Sequence, residues 1–134
     1  MKIAIAADGS TLEAMIPETF EESLFLLIVE TDDGSYETFK NQPAKEGAGL
    51  AMVKEIMNHD CEALISGTIE KQAFDKLMTA QVTRYLGTNC KAADALHMMD
   101  ENRLDFIRVP KGEVWVPHIP SNDTSKCKGH EEYS

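Results

Sequence analysis

The chain reads as an α/β domain, with a five-stranded mixed sheet in the order 3-2-1-4-5 flanked by three helices. Three observations predict it. Short apolar runs rich in branched residues alternate with amphipathic stretches of helical period. The Asp32-Asp33-Gly34 turn joins the second run to the third, which makes that pair an antiparallel hairpin. Two apolar runs end in nearly the same small polar turn: residues 1–7 lead into Asp8-Gly9-Ser10, and residues 63–65 into Ser66-Gly67-Thr68. Strands that stop this way leave backbone N–H groups at the carboxyl edge of the sheet, where ligands bind in open α/β folds.

The elements follow in order. Residues 2–7 alternate and are rich in isoleucine, which predicts a strand. Residues 8–19 form a loop containing Pro17. Residues 23–30 (SLFLLIVE) are nearly all apolar, as suits a strand buried on both faces. Residues 35–40 form a half-exposed strand beside it. Residues 47–58 are helical, with Leu50, Val53, Ile56 and Met57 on one face. Residues 61–65 form the fourth strand. Residues 70–79 form the second helix, with Ala73, Phe74, Leu77 and Met78 inward and Thr68 as its N-cap. Residues 81–85 form a short fifth strand. Thr88 or Asn89 caps a third helix that runs to Met99 and packs through Ala92, Ala95, Leu96 and Met99. Right-handed crossovers then give a ribonuclease-H-like order, with strands 1 and 4 adjacent and parallel.

At 134 residues the chain suits one domain. The change of character after Arg103 predicts a folded unit over 1–110 and a polar, partly disordered tail over 111–134. Within that tail, residues 114–116 suit either a short edge strand or a segment packed on the domain surface. No apolar run approaches the ~18 residues of a membrane span, and none resembles a signal-peptide core. The expectation is a cytoplasmic protein without membrane association. Cys61, Cys90 and Cys127 are odd in number and widely spaced, so no disulfide framework is suggested.

The net charge is −10, and its distribution is uneven. Residues 3–39 hold nine acids and no lysine or arginine. Nucleic-acid binding needs a basic patch for phosphates, and none is present in the sequence. The acidic stretch is either a solvated face or a rim that attracts a basic protein partner or a cation.

Five segments in fixed order, MKIAIAADG, PETFEESLFLLIVE, GAGLAMVKEI, CEALISGTIEKQAFDKL and VTRYLG, resemble the dinitrogenase iron–molybdenum cofactor biosynthesis family. This is the NifX-like domain also found at the carboxyl end of NifB proteins, and the resemblance covers about residues 1–100. It implies a ribonuclease-H-like fold. It also implies a protein that binds or carries a metal–sulfur cluster or related small anion without catalytic turnover. The cargo implied is an iron-, molybdenum- or copper-containing sulfur cluster. Members often read His-Phe-Gly-Arg where this chain has Thr19-Phe20-Glu21-Glu22. Many place a His between the glycines where this chain has Gly47-Ala48-Gly49.

The candidate binding residues are therefore Asp8, Gly9 and Ser10 after strand 1, Thr19 and Phe20 at the departed motif, Gly47, Ala48 and Gly49 before the first helix, and Gly67 and Thr68 after strand 4. Helix N-termini bind anions through free N–H groups, so the Gly47 turn is either an ordinary tight turn or an anion cradle. Phe20 would shape one wall. Asp8 is either a turn former or a metal-holding carboxylate of a hydrolase. The hydrolase reading needs further carboxylates at neighbouring strand ends, where this chain has Gly67 and Thr68. Cys127-x-x-His130, with His118, has metal-ligand spacing but no evident fourth ligand. The alternative to cargo binding is a protein–protein docking domain that uses the acidic surface, with the cluster site vestigial.

Overall fold

Isoleucines at 3 and 5 alternate with alanines at 4 and 6, which gives β1 (Lys2–Ala7) an apolar side chain on each face of the sheet. Such a strand is stable only at the centre, and there it sits. The computed structural model describes residues 1–43 and 47–113. Its sheet has the order β3-β2-β1-β4-β5, with β2 (Phe25–Glu30), β3 (Tyr36–Lys40), β4 (Ala63–Ser66) and β5 (Thr83–Leu86). β1 is antiparallel to β2 and parallel to β4, in the register Ile3↔Ala63, Ile5↔Ile65. The expected sheet order is the order observed. The predicted hairpin is also present, closed by Gly34 at φ +77° with its N–H donating to Glu30 O at 2.8 Å.

Helices α1 (Ala48–Asn58) and α2 (Lys71–Thr79) cover one face, and α3 (Ala92–Asp100) covers the other. On the first face Ala4, Ala6, Leu26, Ile28 and Leu64 meet Met52, Val53, Ile56, Phe74 and Leu77. On the second, Ile3, Ile5, Leu27, Val29 and Ile65 meet Ala92, Ala95, Met98 and Met99, with Ile16 of the first loop beneath them. The strands thus divide their side chains between two cores, as period-2 alternation requires.

Several expectations are corrected. Met57 and Met78 are 47% and 50% exposed rather than inward. At 3.6 residues per turn each lies about 90° from the centre of its helix's buried stripe, beyond the width a sheet covers. The N-cap positions are Glu70 for α2 and Lys91 for α3, not Thr68 and Asn89. Asn89 takes φ +65° in the turn before α3. A single 3₁₀ turn, Phe20–Glu22, interrupts the stretch expected to lead directly into β2. Contrary to the cysteine spacing, Cys90 is disulfide-bonded. Cys61 is buried, and burial pushes its thiol up to about 11.

Past α3 the chain returns to the sheet. Leu86 N donates to Asp105 O and Ile107 N to Arg84 O, both at 2.8 Å, so residues 105–107 lie along the β5 edge. Arg84 stacks over Phe74 at 4.7 Å and donates to Val82 O at 2.7 Å and to Ile107 O at 3.3 Å. At the opposite edge, β3 leaves Tyr36, Glu37, Thr38 and Lys40 exposed. No helix among the described residues is long and apolar enough to cross a membrane. The expected edge strand or packed segment at 114–116, and nearly all of the 111–134 tail, lie outside the described residues.

Gly67 marks the tightest approach in the fold. A Cβ there would collide with the carbonyl oxygens of Pro17 and Glu18. Gly67→Ala is therefore expected to cost about 2 kcal/mol by overpacking. Urea unfolding of the purified variant checks this, and a loss below about 0.5 kcal/mol, within the range of ordinary surface changes, would contradict the close approach.

Candidate functional site

β4 is buried throughout, and its last residue, Ser66, turns its hydroxyl onto Gly67 O at 2.9 Å. Beyond it, residues 17–20 run across the strand end. Thr68 N and Thr68 Oγ1 both donate to Glu18 O, at 2.8 and 3.0 Å, and Phe20 N donates to Thr68 O at 2.8 Å. Thr19 and Thr68 form a parallel bridge. The Thr68 donors expected to face a ligand are thus engaged within the chain. Thr19 is buried, and its Oγ1 accepts from Lys111 Nζ at 3.3 Å. Phe20 is fully buried between the sheet and the α1–α2 layer, so it belongs to the core.

The turn after β1 closes on itself. Asp8 N donates to Met15 O at 2.9 Å, and Ala14 N to Thr11 O at 3.1 Å. Gly9 packs against Ala14, and Ser10 is exposed. Partial burial raises the Asp8 carboxyl above the usual range, and the Glu22 charge raises it further. The Asp8 turn therefore borders the residues described next.

A cavity of about 280 Å³ lies between the starts of α1 and α2. Gly47, at φ +83°, is the N-cap of α1. Gly47, Gly49 and Leu50 line one side, Glu70, Gln72 and Ala73 the other, and Glu21, Glu22 and Pro43 complete the wall. Of the expected binding residues, the cavity gathers Gly47 and Gly49. Ala48 is the first residue of α1, between them. Glu21 and Glu22 were expected only as part of an acidic docking surface, and Glu70 and Gln72 at no site. The available signal was Glu21-Glu22 itself, the place where the chain departs from the motif it resembles.

Glu21 is the most constrained of these residues. Its Oε2 accepts the Glu70 N–H at 3.1 Å, at the N-cap of α2. Its Oε1 is buried with no hydrogen-bond partner among the described residues. A Cβ on Gly49 would sit 2.6 Å from Glu21 Cγ, so only glycine leaves room for this side chain. Burial raises the Glu21 carboxyl above the usual range. The N–H groups of Glu21 and Glu70 oppose this, the Glu70 charge adds to it, and Lys111 lowers it.

A second cavity of about 390 Å³ lies on the α3 face, lined by Leu12, Val29, Leu96 and Met99 among others. Among the described residues no group of three or more His, Cys, Asp or Glu is placed to hold a metal ion. The metal candidates His118, Cys127 and His130 lie outside the described residues.

Comparison with known proteins places this geometry. A family model described as dinitrogenase iron-molybdenum cofactor matches residues 1–102. No curated protein matches the chain. Among solved structures, a Thermotoga protein provisionally assigned as NifB is 25% identical, with TM-score 0.74, over 84% of this chain and 98% of that one. The apo form of the orange protein from Desulfovibrio gigas is 18% identical, with TM-score 0.74, over 82% and 95%. A Methanocaldococcus jannaschii protein provisionally assigned as a dinitrogenase is 23% identical, with TM-score 0.62, over 82% and 97%.

Because its carboxyl is raised, the stability Glu21 contributes is full below the ordinary carboxylate range and is lost as pH rises through its folded value. Glu21→Gln removes this dependence. The variant is expected to gain on the wild type as pH rises above the ordinary carboxylate range in paired urea titrations. A stability difference that stays constant over that rise would contradict the assignment.

Proposed function

Because the chain belongs to the dinitrogenase iron-molybdenum cofactor family, we propose that it is a non-catalytic binding or carrier protein for a metal–sulfur cluster or related small anion. The cargo is an iron-, molybdenum- or copper-containing sulfur cluster of the iron–molybdenum-cofactor kind. The observation that carries this reading is the cavity at the carboxyl edge of the sheet, where the starts of α1 and α2 converge. Two helix N-termini on one cavity present free N–H groups and the positive ends of their dipoles to an anion.

The side chains fit such a cargo less well than the backbone does. Glu21, Glu22 and Glu70 line the cavity, and no lysine, arginine or histidine among the described residues does. Binding therefore rests on backbone donors of the first turns of α1 and α2. The test is anaerobic: the full chain is incubated with iron and tetrathiomolybdate, desalted and analysed for metal. Retention near one cluster per chain is expected. A metal-free protein after both reconstitution and titration would overturn the reading.

The acidic lining favours a second reading, in which this face docks a basic protein partner. That reading expects salt-sensitive association with an oligolysine probe, weakened about tenfold or more by Glu21→Lys with Glu22→Lys. Unchanged binding by the double variant would exclude it.

A further inference from the structure

The adverse charge of the cavity has a geometric explanation in Glu21, and the explanation rests on the anion-binding reading given above. Its carboxylate accepts the Glu70 N–H at 3.1 Å, at the α2 N-terminus. Its aliphatic part lies against Gly49 in the first turn of α1, where an added Cβ would be 2.6 Å from Cγ. Glu21 therefore sits where both helix starts would meet a bound anion. We infer that the Glu21 carboxylate is a tethered substitute for the ligand: it fills the anion seat between α1 and α2, and an anionic cargo enters only when Glu21 swings out or loses its charge.

Two further observations support displacement rather than a permanent structural role. Oε1 is buried without a hydrogen-bond partner among the described residues, so the carboxylate is held in its seat by one oxygen only. A buried acceptor without a donor destabilises the conformation that contains it. The charged groups that bear on Glu21 are also mixed. The Glu70 carboxylate repels it, while Lys111 attracts it, and Lys111 Nζ is itself shared with Thr19 Oγ1 at 3.3 Å. Glu22 and Glu70 are exposed carboxylates on the same cavity, where solvent and salt screen them. Glu21 is the one that fills the space. Burial raises its carboxyl, so it takes up a proton more readily than a free carboxylate does.

The experiment compares the full-length wild type, Glu21→Gln and Glu21→Gly. Tetrathiomolybdate binding is measured by anaerobic equilibrium dialysis at neutral pH. Sulfate, which is chemically inert to acid, is the probe for a pH series, with the Glu70 amide signal as the reporter of the seat. Glutamine keeps the shape and the acceptor, so it guards against a folding failure in the glycine variant. Tetrathiomolybdate is expected to bind Glu21→Gln about tenfold more tightly than wild type, and Glu21→Gly more tightly still, because a like charge at the seat is removed. Wild-type affinity for sulfate is expected to rise as pH falls, and to rise more steeply than that of Glu21→Gln, which keeps only the exposed Glu22 and Glu70 carboxylates on the cavity. The Glu70 amide should shift on binding. Equal affinity in all three proteins, or binding that leaves the Glu70 amide unmoved, overturns the occlusion and leaves the carrier reading standing. Binding by none of the three overturns both.

Discussion

The parallel pairing of β1 with β4 is the constraint on which the remaining architecture depends. Two parallel neighbours cannot be joined by a turn, so the chain must cross over, and here it does so through β2, β3 and then α1. The register Ile5↔Ile65 brings Ala7 and Ser66 to one edge of the sheet. Any helix leading into or out of those strands must then turn at or near that edge. The α2 helix starts there because it follows β4 by four residues. The cavity between α1 and α2 is in this sense a product of topology, and its chemistry is set by whatever residues the intervening segment lays across it.

That segment, residues 17–22, does two jobs. Glu18 to Phe20 continues the hydrogen bonding of β4 beyond the strand and seals the gap between the β1 and β4 ends. Glu21 and Glu22 then enter the cavity as carboxylates. The same six residues thus remove one set of backbone donors from solvent and place negative charge beside another. A helix N-terminus with a carboxylate already at 3.1 Å is electrostatically satisfied for as long as that carboxylate stays charged and in place.

The sheet was legible in the sequence because its signals are local and redundant. Alternation in residues 2–7, the continuous apolar run that became β2 and the Asp32-Asp33-Gly34 turn each restrict the strand pairings, and handedness does the rest. The site was legible only in part. Gly47 and Gly49 could be found because glycine before a helix is conspicuous. The engagement of Thr68 by Glu18 could not, because it joins residues fifty apart through backbone atoms that carry no side-chain signature. Phe20 looked like a wall because it belongs to the departed motif, but a large aromatic in a turn laid across the sheet is more easily buried than displayed, and it is fully buried. The role of Gly49 depends on a glutamate twenty-eight positions earlier, and neither residue implies it alone.

The two margins of the sheet are defended by different means. Along β5 the chain lays its own residues 105–107 over the strand, with Arg84 fastening them at Ile107 O and Val82 O. Along β3 the protection is a row of exposed polar and charged side chains on a short strand. The first defence is hydrogen bonding within the chain and changes little with ionic strength, whereas the second weakens as salt screens Glu37 and Lys40. Edge-to-edge aggregation of this protein, where it occurs, would therefore start from the β3 side and grow with salt, leaving the β5 side and the cavity at the other end of the crossover untouched.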